Sequence, residues 1–211
     1  MLVAFVSMMD EDTSETCVRG NGKTASMTFY LYLYKLLGKT IWTNYYTTFS
    51  DEIMGFQEMI NRIKELKKNK QFCDIILGVT EMQKLINSIG SSTQETLFVD
   101  DFVSELRKLN ADCFYDTQIF KSVHIRLRRH TENVRIPLKY HLTGEQCNYD
   151  RCEKKHIIKI YSQIPWRDRP IRIIKAYEVG KLYRSTEMIE DTLVIPKKIK
   201  NVKEEKEEKI L

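Results

Sequence analysis

The start of the chain combines an apolar run, a polar stretch and a Gly-Lys-Thr that opens a helical pattern. Leu2 to Val6 reads LVAFV, which is typical of a strand buried on both faces of a sheet. Residues 23–38 read KTASMTFYLYLYKLLG, which predicts a helix that stops at Gly38. A loop between a buried strand and a helix lies where α/β sheets bind their ligands, so this order constrains both fold and site.

The loop before this helix carries the groups that bind a phosphate chain, namely Gly20, Asn21, Gly22, Lys23 and Thr24. Glycines let the backbone approach phosphate, the lysine reaches the β- and γ-phosphates, and the threonine hydroxyl binds Mg²⁺. The full pattern GxxxxGK[ST] has a further glycine where this chain has Cys17. We interpret the loop as an altered phosphate site; an ordinary polar turn that caps a helix is the alternative.

Apolar strands and amphipathic helices alternate over the first two-thirds of the chain. The patterns predict strands over 39–47, 73–79 and 111–118, helices over 51–69 and 98–110, and a basic helix or helical turn over 119–133. This alternation predicts an α/β fold with a mostly parallel sheet flanked by helices. Three β-branched segments at 134–142, 156–164 and 171–179 predict extra C-terminal strands or a hairpin.

The composition fits one globular domain, because 42% of the residues are hydrophobic and 30% are charged. We expect a single P-loop domain over 1–195, with a core over 1–135 and a β-rich extension over 136–195. The Lys/Glu-rich residues 196–211 are expected to form a charged flexible tail. No apolar run reaches about 18 residues, so we expect no membrane span.

A second group of residues has the chemistry of a metal site. His141, Cys147, Cys152 and His156 lie within sixteen residues, and zinc binds four such ligands in a tetrahedron. Three interpretations stay open: a zinc site, a Cys147–Cys152 disulfide, or a packed turn with two free thiols. The chain has five cysteines in all, and their scatter does not indicate a secreted disulfide framework.

Several short motifs follow one another in a characteristic order. They are RGNGKT at 19–24, IWTNYYT at 41–47, IILGVTEMQ at 75–83, the stretch 98–134 with Thr117-Gln118 and Arg126-Leu127-Arg128, and KLYRSTEMI at 181–189. In this order they resemble the FtsK/HerA-type P-loop ATPases, most closely the small ones of archaeal viruses and plasmids. That group is similar to genome-packaging ATPases and to Zot-like proteins.

The resemblance implies a role for each matching residue. Lys23 and Thr24 would bind ATP and Mg²⁺, and Glu81 would act as the general base that orients the attacking water. Gln118 looks like the polar sensor at the tip of the neighbouring strand. Arg126 or Arg128 would be the arginine finger, in cis or reaching into the next subunit of a ring.

Each of these residues also has a plainer interpretation. Glu81 can be an exposed acid at a strand end, and Gln118 an ordinary loop residue. The arginines of 126–129 can form a solvated face or contact DNA phosphates.

One position departs from the family pattern in a way that bears on catalysis. The family ends its Walker B strand in Asp-Glu, and this chain has Thr80-Glu81. Thr80 would then be the Mg²⁺ partner, although threonine carries no charge. Asp74 lies at the wrong end of the strand to replace the missing acid, and the positions of Asp100 and Asp101 stay open.

The resemblance implies an ATP-dependent DNA translocase, most specifically the genome-packaging ATPase of an archaeal virus or related element. Its partners would be double-stranded DNA, further copies of the chain in a ring, and virion proteins. It would act in the host cytoplasm or in association with the virion. Two alternatives stay open: a nucleotide-binding protein with a degenerate, non-hydrolysing site, and a Zot-like ATPase for virion assembly or extrusion.

Overall fold

The computed structural model describes residues 1–8, 20–69, 74–86, 93–147, 149, 152–164 and 169–188. The predicted tail over 196–211, the acidic stretch over 10–18 and Cys17 lie outside these residues. No helix of the described part is long and apolar enough to cross a membrane.

Ten strands and six α-helices are found in the described residues. The strands are β1 (Leu2–Met8), β2 (Thr40–Thr43), β3 (Tyr45–Thr47), β4 (Glu52–Ile53), β5 (Ile75–Val79), β6 (Asp112–Ile119), β7 (Asn133–His141), β8 (His156–Ile164), β9 (Arg172–Lys175) and β10 (Tyr183–Met188). The helices are α1 (Lys23–Leu36), α2 (Phe56–Lys68), α3 (Met82–Leu85), α4 (Thr93–Lys108), α5 (Ile125–His130) and α6 (Ala176–Val179).

Eight strands form one sheet in the order β4-β2-β5-β6-β1-β7-β8-β9. Every pairing from β4 to β7 is parallel, whereas β8 and β9 add antiparallel strands beyond β7. Strands β3 and β10 form a separate antiparallel pair. The predicted mostly parallel sheet with extra C-terminal strands is therefore confirmed, and the C-terminal strands extend the same sheet.

The sheet has an apolar layer on each face, as the continuous apolar run of β1 predicts. Leu2, Ala4 and Val6 join the core beneath α2, α4 and α5. Val3 and Phe5 join the core beneath α1 on the opposite face. Because successive strand residues point to opposite faces, a strand covered on both sides has no place for an alternating polar residue.

Helix α1 packs closely on the centre of the sheet. A Cβ at Gly78 of β5 would lie 2.4 Å from Leu31 Cδ1 and 3.0 Å from Thr43 Cγ2. The absence of a side chain at this point lets α1 approach β5 and β2 closely. This approach fixes the position of the helix whose first turn holds the Gly-Lys-Thr.

Several predicted boundaries differ from the structure, and the helix predicted over 98–110 spans Thr93–Lys108 instead. The single strand predicted over 39–47 is interrupted at Asn44, where the chain leaves the large sheet to form β3. The helix predicted over 51–69 begins only at Phe56, because the preceding Gly55 is extended and 52–53 pair with β2. The strand predicted over 171–179 is split between β9 and the short α6.

Candidate active site

Helix α1 begins directly after Gly22, whose φ of 86° lies in the left-handed region that favours glycine. A Cβ at this position would also lie 2.5 Å from Ile158 Cδ1 of β8. The first turn of α1 carries no acidic side chain. Because the first N–H groups of a helix have no acceptor within it, this end of α1 is suited to bind phosphate oxygens.

The ammonium of Lys23 is buried beside the carboxyl end of β1. Its Nζ lies 3.0 Å from Ser7 Oγ and 2.9 Å from Gln118 Oε1. Only 6% of the residue is exposed. Both acceptors are neutral, so a phosphate oxygen would be a stronger partner for this charge than either of them.

Thr24 donates a hydrogen bond to a carboxylate that motif matching did not single out. Its Oγ1 lies 2.6 Å from Asp116 Oδ2, in the middle of the site. The other oxygen of Asp116 accepts the backbone N–H of Glu81 at 2.8 Å. Asp116 therefore joins the phosphate loop to the end of β5.

Strand register explains how Asp116 reaches this position. In the parallel pair of β5 and β6, Val79 is opposite Tyr115. The residues that follow, Thr80 and Asp116, therefore lie side by side at the carboxyl edge of the sheet. A carboxylate on the adjacent strand therefore lies beside position 80.

The carboxylate of Asp116 is buried, so a nearby cation would stabilise its ionised form. Burial raises the pKa of Asp116 above its ordinary value, while the charge of Lys23 and the hydrogen bonds from Thr24 and Glu81 act in the opposite direction. A buried carboxylate is costly to ionise without a nearby positive charge. A divalent cation at Thr24 would therefore be favoured by this side chain.

Glu81 follows β5 at the same edge and has a backbone conformation that is unusual for glutamate. Its φ of 55° places it in the left-handed region, where a residue with a side chain is strained. Its carboxylate accepts a hydrogen bond from Gln83 Nε2 at 2.7 Å and lies 3.7 Å from Lys84 Nζ. The side chain is 28% exposed, so it borders both the site and solvent.

Gln118 connects the lysine to the candidate base. Its Oε1 accepts from Lys23 Nζ, and its Nε2 lies 3.5 Å from Glu81 Oε1. An amide has both an acceptor and a donor, so it can contact a cation and an anion together. This placement is suited to the sensor role that the family resemblance implies.

Thr80, the expected Mg²⁺ partner, contacts a different residue. Its Oγ1 lies 3.4 Å from Asn44 Oδ1, and its backbone N–H donates to the same oxygen at 2.8 Å. Asn44 Nδ2 in turn donates to the carbonyl of Thr80 at 3.3 Å. These bonds fix the end of β5 to β2, and Asp116 replaces Thr80 as our candidate for holding the metal.

The two candidate finger arginines lie on α5, and the contacts described for them are made outside this cluster. Arg126 Nη1 lies 3.7 Å from Asp100 Oδ2 of α4, and Arg128 Nε donates to the carbonyl of Val123 at 2.9 Å. Asp100 also lies 3.9 Å from His130 Nε2. Asp100 thus faces α5, and the described contacts do not favour a finger in cis.

The site residues fit a Mg²⁺-bound nucleotide. For the phosphates, the site offers the N-terminus of α1, the left-handed Gly22 and the buried ammonium of Lys23. The metal side has a hydroxyl and a buried carboxylate 2.6 Å apart, which are the hard oxygen ligands that Mg²⁺ prefers. Motif matching does not identify Asp116, although an acid that directly follows the apolar residues CFY of a predicted strand is a usable signal.

Comparison with solved structures finds many chains of similar fold, among them the following three. The genome packaging NTPase B204 from Sulfolobus turreted icosahedral virus 2, in complex with ATP-gammaS, has a TM-score of 0.50 and 9% identity, over 82% of this chain and 96% of that one. The N-terminal domain of zonular occludens toxin from Neisseria meningitidis has a TM-score of 0.50 and 16% identity, over 86% and 98%. A third structure is an ATPase domain with a TM-score of 0.50 and 10% identity, over 86% and 84%.

These similarities show the fold. The chain has the P-loop NTPase fold, as the motif order predicts, and the three structures are P-loop ATPases. No protein-family model matches the sequence, and no curated protein matches it.

Proposed function

We propose that the chain is a Mg²⁺-dependent ATPase that moves double-stranded DNA, as the genome-packaging motor of an archaeal virus or related element. The observation that carries the proposal is the hydrogen bond from Thr24 Oγ1 to Asp116 Oδ2. Asp116 would then be the acid that the Thr80-Glu81 sequence lacks. With it, each group needed for phosphoryl transfer to water has a candidate in this chain.

ATP binding would exchange the partners of Lys23. The triphosphate would lie on the N–H groups at the start of α1, and Lys23 would turn from Ser7 and Gln118 to the β- and γ-phosphate oxygens. Its present partners are neutral oxygens about 3 Å away, so a charged acceptor displaces them favourably. Release of Gln118 frees its Oε1 for the attacking water.

Thr24 and Asp116 would hold Mg²⁺, with the hydroxyl and the carboxylate that now contact each other. When bound, the ion neutralises the negative charge of the phosphate oxygens during transfer. Its positive charge would also compensate the buried carboxylate of Asp116. The backbone bond from Glu81 keeps that carboxylate in place.

Glu81 would orient the attacking water and accept its proton. Its strained backbone and its bond from Gln83 hold the carboxylate at the rim of the site. Gln118, already 3.5 Å from Glu81, would bind the same water or the γ-phosphate. Catalysis of this kind depends on position and charge, which is why rigid strand ends are suitable supports.

The motor part of the proposal concerns a ring of identical chains. Arg126 has a side chain 45% exposed and would reach the nucleotide of the neighbouring subunit as a finger in trans. Exposed basic residues just before β8, such as Lys154 and Lys155, would contact DNA phosphates without reading sequence.

ATP hydrolysis with Mg²⁺, with and without duplex DNA, tests the proposal. We expect turnover that rises with DNA and falls at least about 100-fold in Lys23→Ala, the usual scale for loss of one charge-stabilising donor. Lys35→Ala, at the other end of α1, is the matched control and should keep turnover. Turnover that DNA does not change would favour a Zot-like assembly role, and binding without phosphate release would favour the degenerate site.

A further inference from the structure

The β7–β8 hairpin brings two histidines together at its open end. His141 is the last residue of β7 and is directly opposite His156, the first residue of β8. The centroids of their imidazole rings are 4.8 Å apart. His156 is only 6% exposed, so this pair is set into the protein surface.

A tight turn after β7 positions Cys147 next to the two histidines. The N–H of Gly144, which has φ 98°, donates to the carbonyl of His141, and the N–H of His141 donates to the carbonyl of Glu145. The N–H of Cys147 then bonds to the carbonyl of Lys139 at 2.8 Å. The chain thus doubles back along β7, and Cys147 is buried with 1% exposure.

With Cys152, which precedes β8, four potential ligand atoms converge. One ring nitrogen of each histidine and the sulfur of each cysteine all lie within 4.8 Å of one another. In a tetrahedral zinc site with ordinary bond lengths these atoms are about 3.3–3.8 Å apart. Side-chain shifts on the order of 1 Å would therefore complete the site.

One ring nitrogen of each histidine makes no hydrogen bond within the described part of the chain. His141 Nδ1 and His156 Nε2 are both shielded from solvent and have no hydrogen-bond partner there. A buried polar atom without a partner is unfavourable, so such atoms usually have one. Both cysteines are free thiols in the structure, so a disulfide does not account for their position.

We propose that His141, Cys147, Cys152 and His156 bind one structural Zn²⁺ ion. Two sulfurs and two imidazoles are a ligand set that zinc prefers, and the Cys-x4-Cys spacing lies within the usual range for such sites. Four protein ligands leave no open position for a water, which indicates a structural rather than a catalytic metal. Two thiolates also balance the charge of Zn²⁺, so the neighbouring lysines at 154 and 155 do not oppose it.

The metal would fasten β8 close to the phosphate loop. His156 lies two positions before Ile158, whose side chain fills the space next to Gly22. Ile158 and Ile160 also form a small core with Ala25 of α1. The zinc site would thereby hold the strand that supports the start of α1, whether or not the chain hydrolyses ATP.

Metal analysis of the full chain, purified without chelator, tests the proposal. We expect one zinc per chain, lost in the Cys147→Ser/Cys152→Ser double variant and kept in Cys113→Ala, which changes a buried cysteine outside the cluster. Absence of zinc from the wild-type chain, retention in the double variant, or a Cys147–Cys152 disulfide in the intact protein would overturn the proposal.

A cobalt experiment keeps the test independent of how well the variants fold. Co²⁺ added to the metal-free wild-type chain should give the intense visible bands of a tetrahedral site together with a thiolate-to-cobalt charge-transfer band. Zn²⁺ should then remove both signals at a ratio of one ion per chain. A weak octahedral spectrum, or one without the thiolate band, contradicts the proposal.

Discussion

At the carboxyl ends of β5 and β6, the charged groups already have hydrogen-bond partners. Lys23 donates to Ser7 and Gln118. Asp116 accepts from Thr24 and from the backbone N–H of Glu81. At the open end of the β7–β8 hairpin, two buried imidazole nitrogens have no partner among the described residues. The charged groups of the first cluster pair with one another, whereas two buried nitrogens of the second do not.

This difference indicates two kinds of binding. A ligand of the first cluster must displace existing hydrogen bonds, so it can enter and leave as a substrate does. A ligand of the second cluster relieves unpaired buried groups, so it should stay bound and stabilise the fold. Variants that affect one region more than the other therefore test the comparison.

The largest effect, a loss of kcat, is expected for a change of Glu81, the proposed general base. Glu81→Gln keeps the size of the side chain but removes the proton acceptor, so we expect kcat to fall about 10²–10⁴-fold. ATP affinity should change little, since Glu81 is not among the phosphate-binding groups. Steady-state turnover and equilibrium binding of a labelled nucleotide measure the two quantities. Glu58→Gln, which makes the same change at an exposed acid of α2, is the control and should keep turnover.

A smaller effect, on thermal stability, is expected at Gly22, where the phosphate loop contacts Ile158 of β8. Gly22→Ala introduces a Cβ 2.5 Å from Ile158 Cδ1 and forces alanine to adopt φ 86°. The backbone strain alone is expected to cost about 1–3 kcal/mol, which lowers the Tm by about 2–4 °C per kcal/mol for a chain of this size. Thermal unfolding measures this shift.

Ile158→Val removes the nearest atom of that contact. Combined with Gly22→Ala, it should lower the Tm by less than the sum of the two single variants, because the steric part of the cost is shared. Strictly additive shifts would show that Ile158 does not pack on the phosphate loop as the structure describes.

The smallest of these effects is expected for the zinc cluster. Removal of the ion with a chelator should lower the Tm by a few degrees, on the scale of about 2–4 °C per kcal/mol. The chelator should lower it no further in the Cys147→Ser/Cys152→Ser variant. An equal chelator effect on both proteins would place the stabilising metal elsewhere.

Most of the fold could be predicted, because its main signals are local. The unbroken apolar run of β1 predicts a strand covered on both faces, and Gly38, with φ 82°, follows α1 as expected. The two-residue strand β4 could not be predicted, because an edge strand of this length has no periodicity to detect. The interruption at Asn44 depends on contacts with Thr80, which lies far away in sequence.

The candidate site was predicted only in part, for a similar reason. Lys23 and Thr24 belong to one contiguous motif, and Glu81 and Gln118 follow from motif order. Asp116 takes its place only through the register of β5 against β6, which a linear motif does not contain. The closeness of the four candidate metal ligands in sequence predicts the cluster, and the structure adds that their potential ligand atoms converge.

The most direct test of the account is the Mg²⁺ requirement of ATP hydrolysis in Asp116→Asn beside Thr80→Val. If Asp116 supplies the missing carboxylate, Asp116→Asn should raise the Mg²⁺ concentration for half-maximal turnover at least about tenfold, equivalent to about 1.4 kcal/mol. Thr80→Val should leave that concentration within about twofold, since it removes only a long hydrogen bond to Asn44. The reverse pattern, with Asp116→Asn unaffected and Thr80→Val impaired, would contradict the central claim.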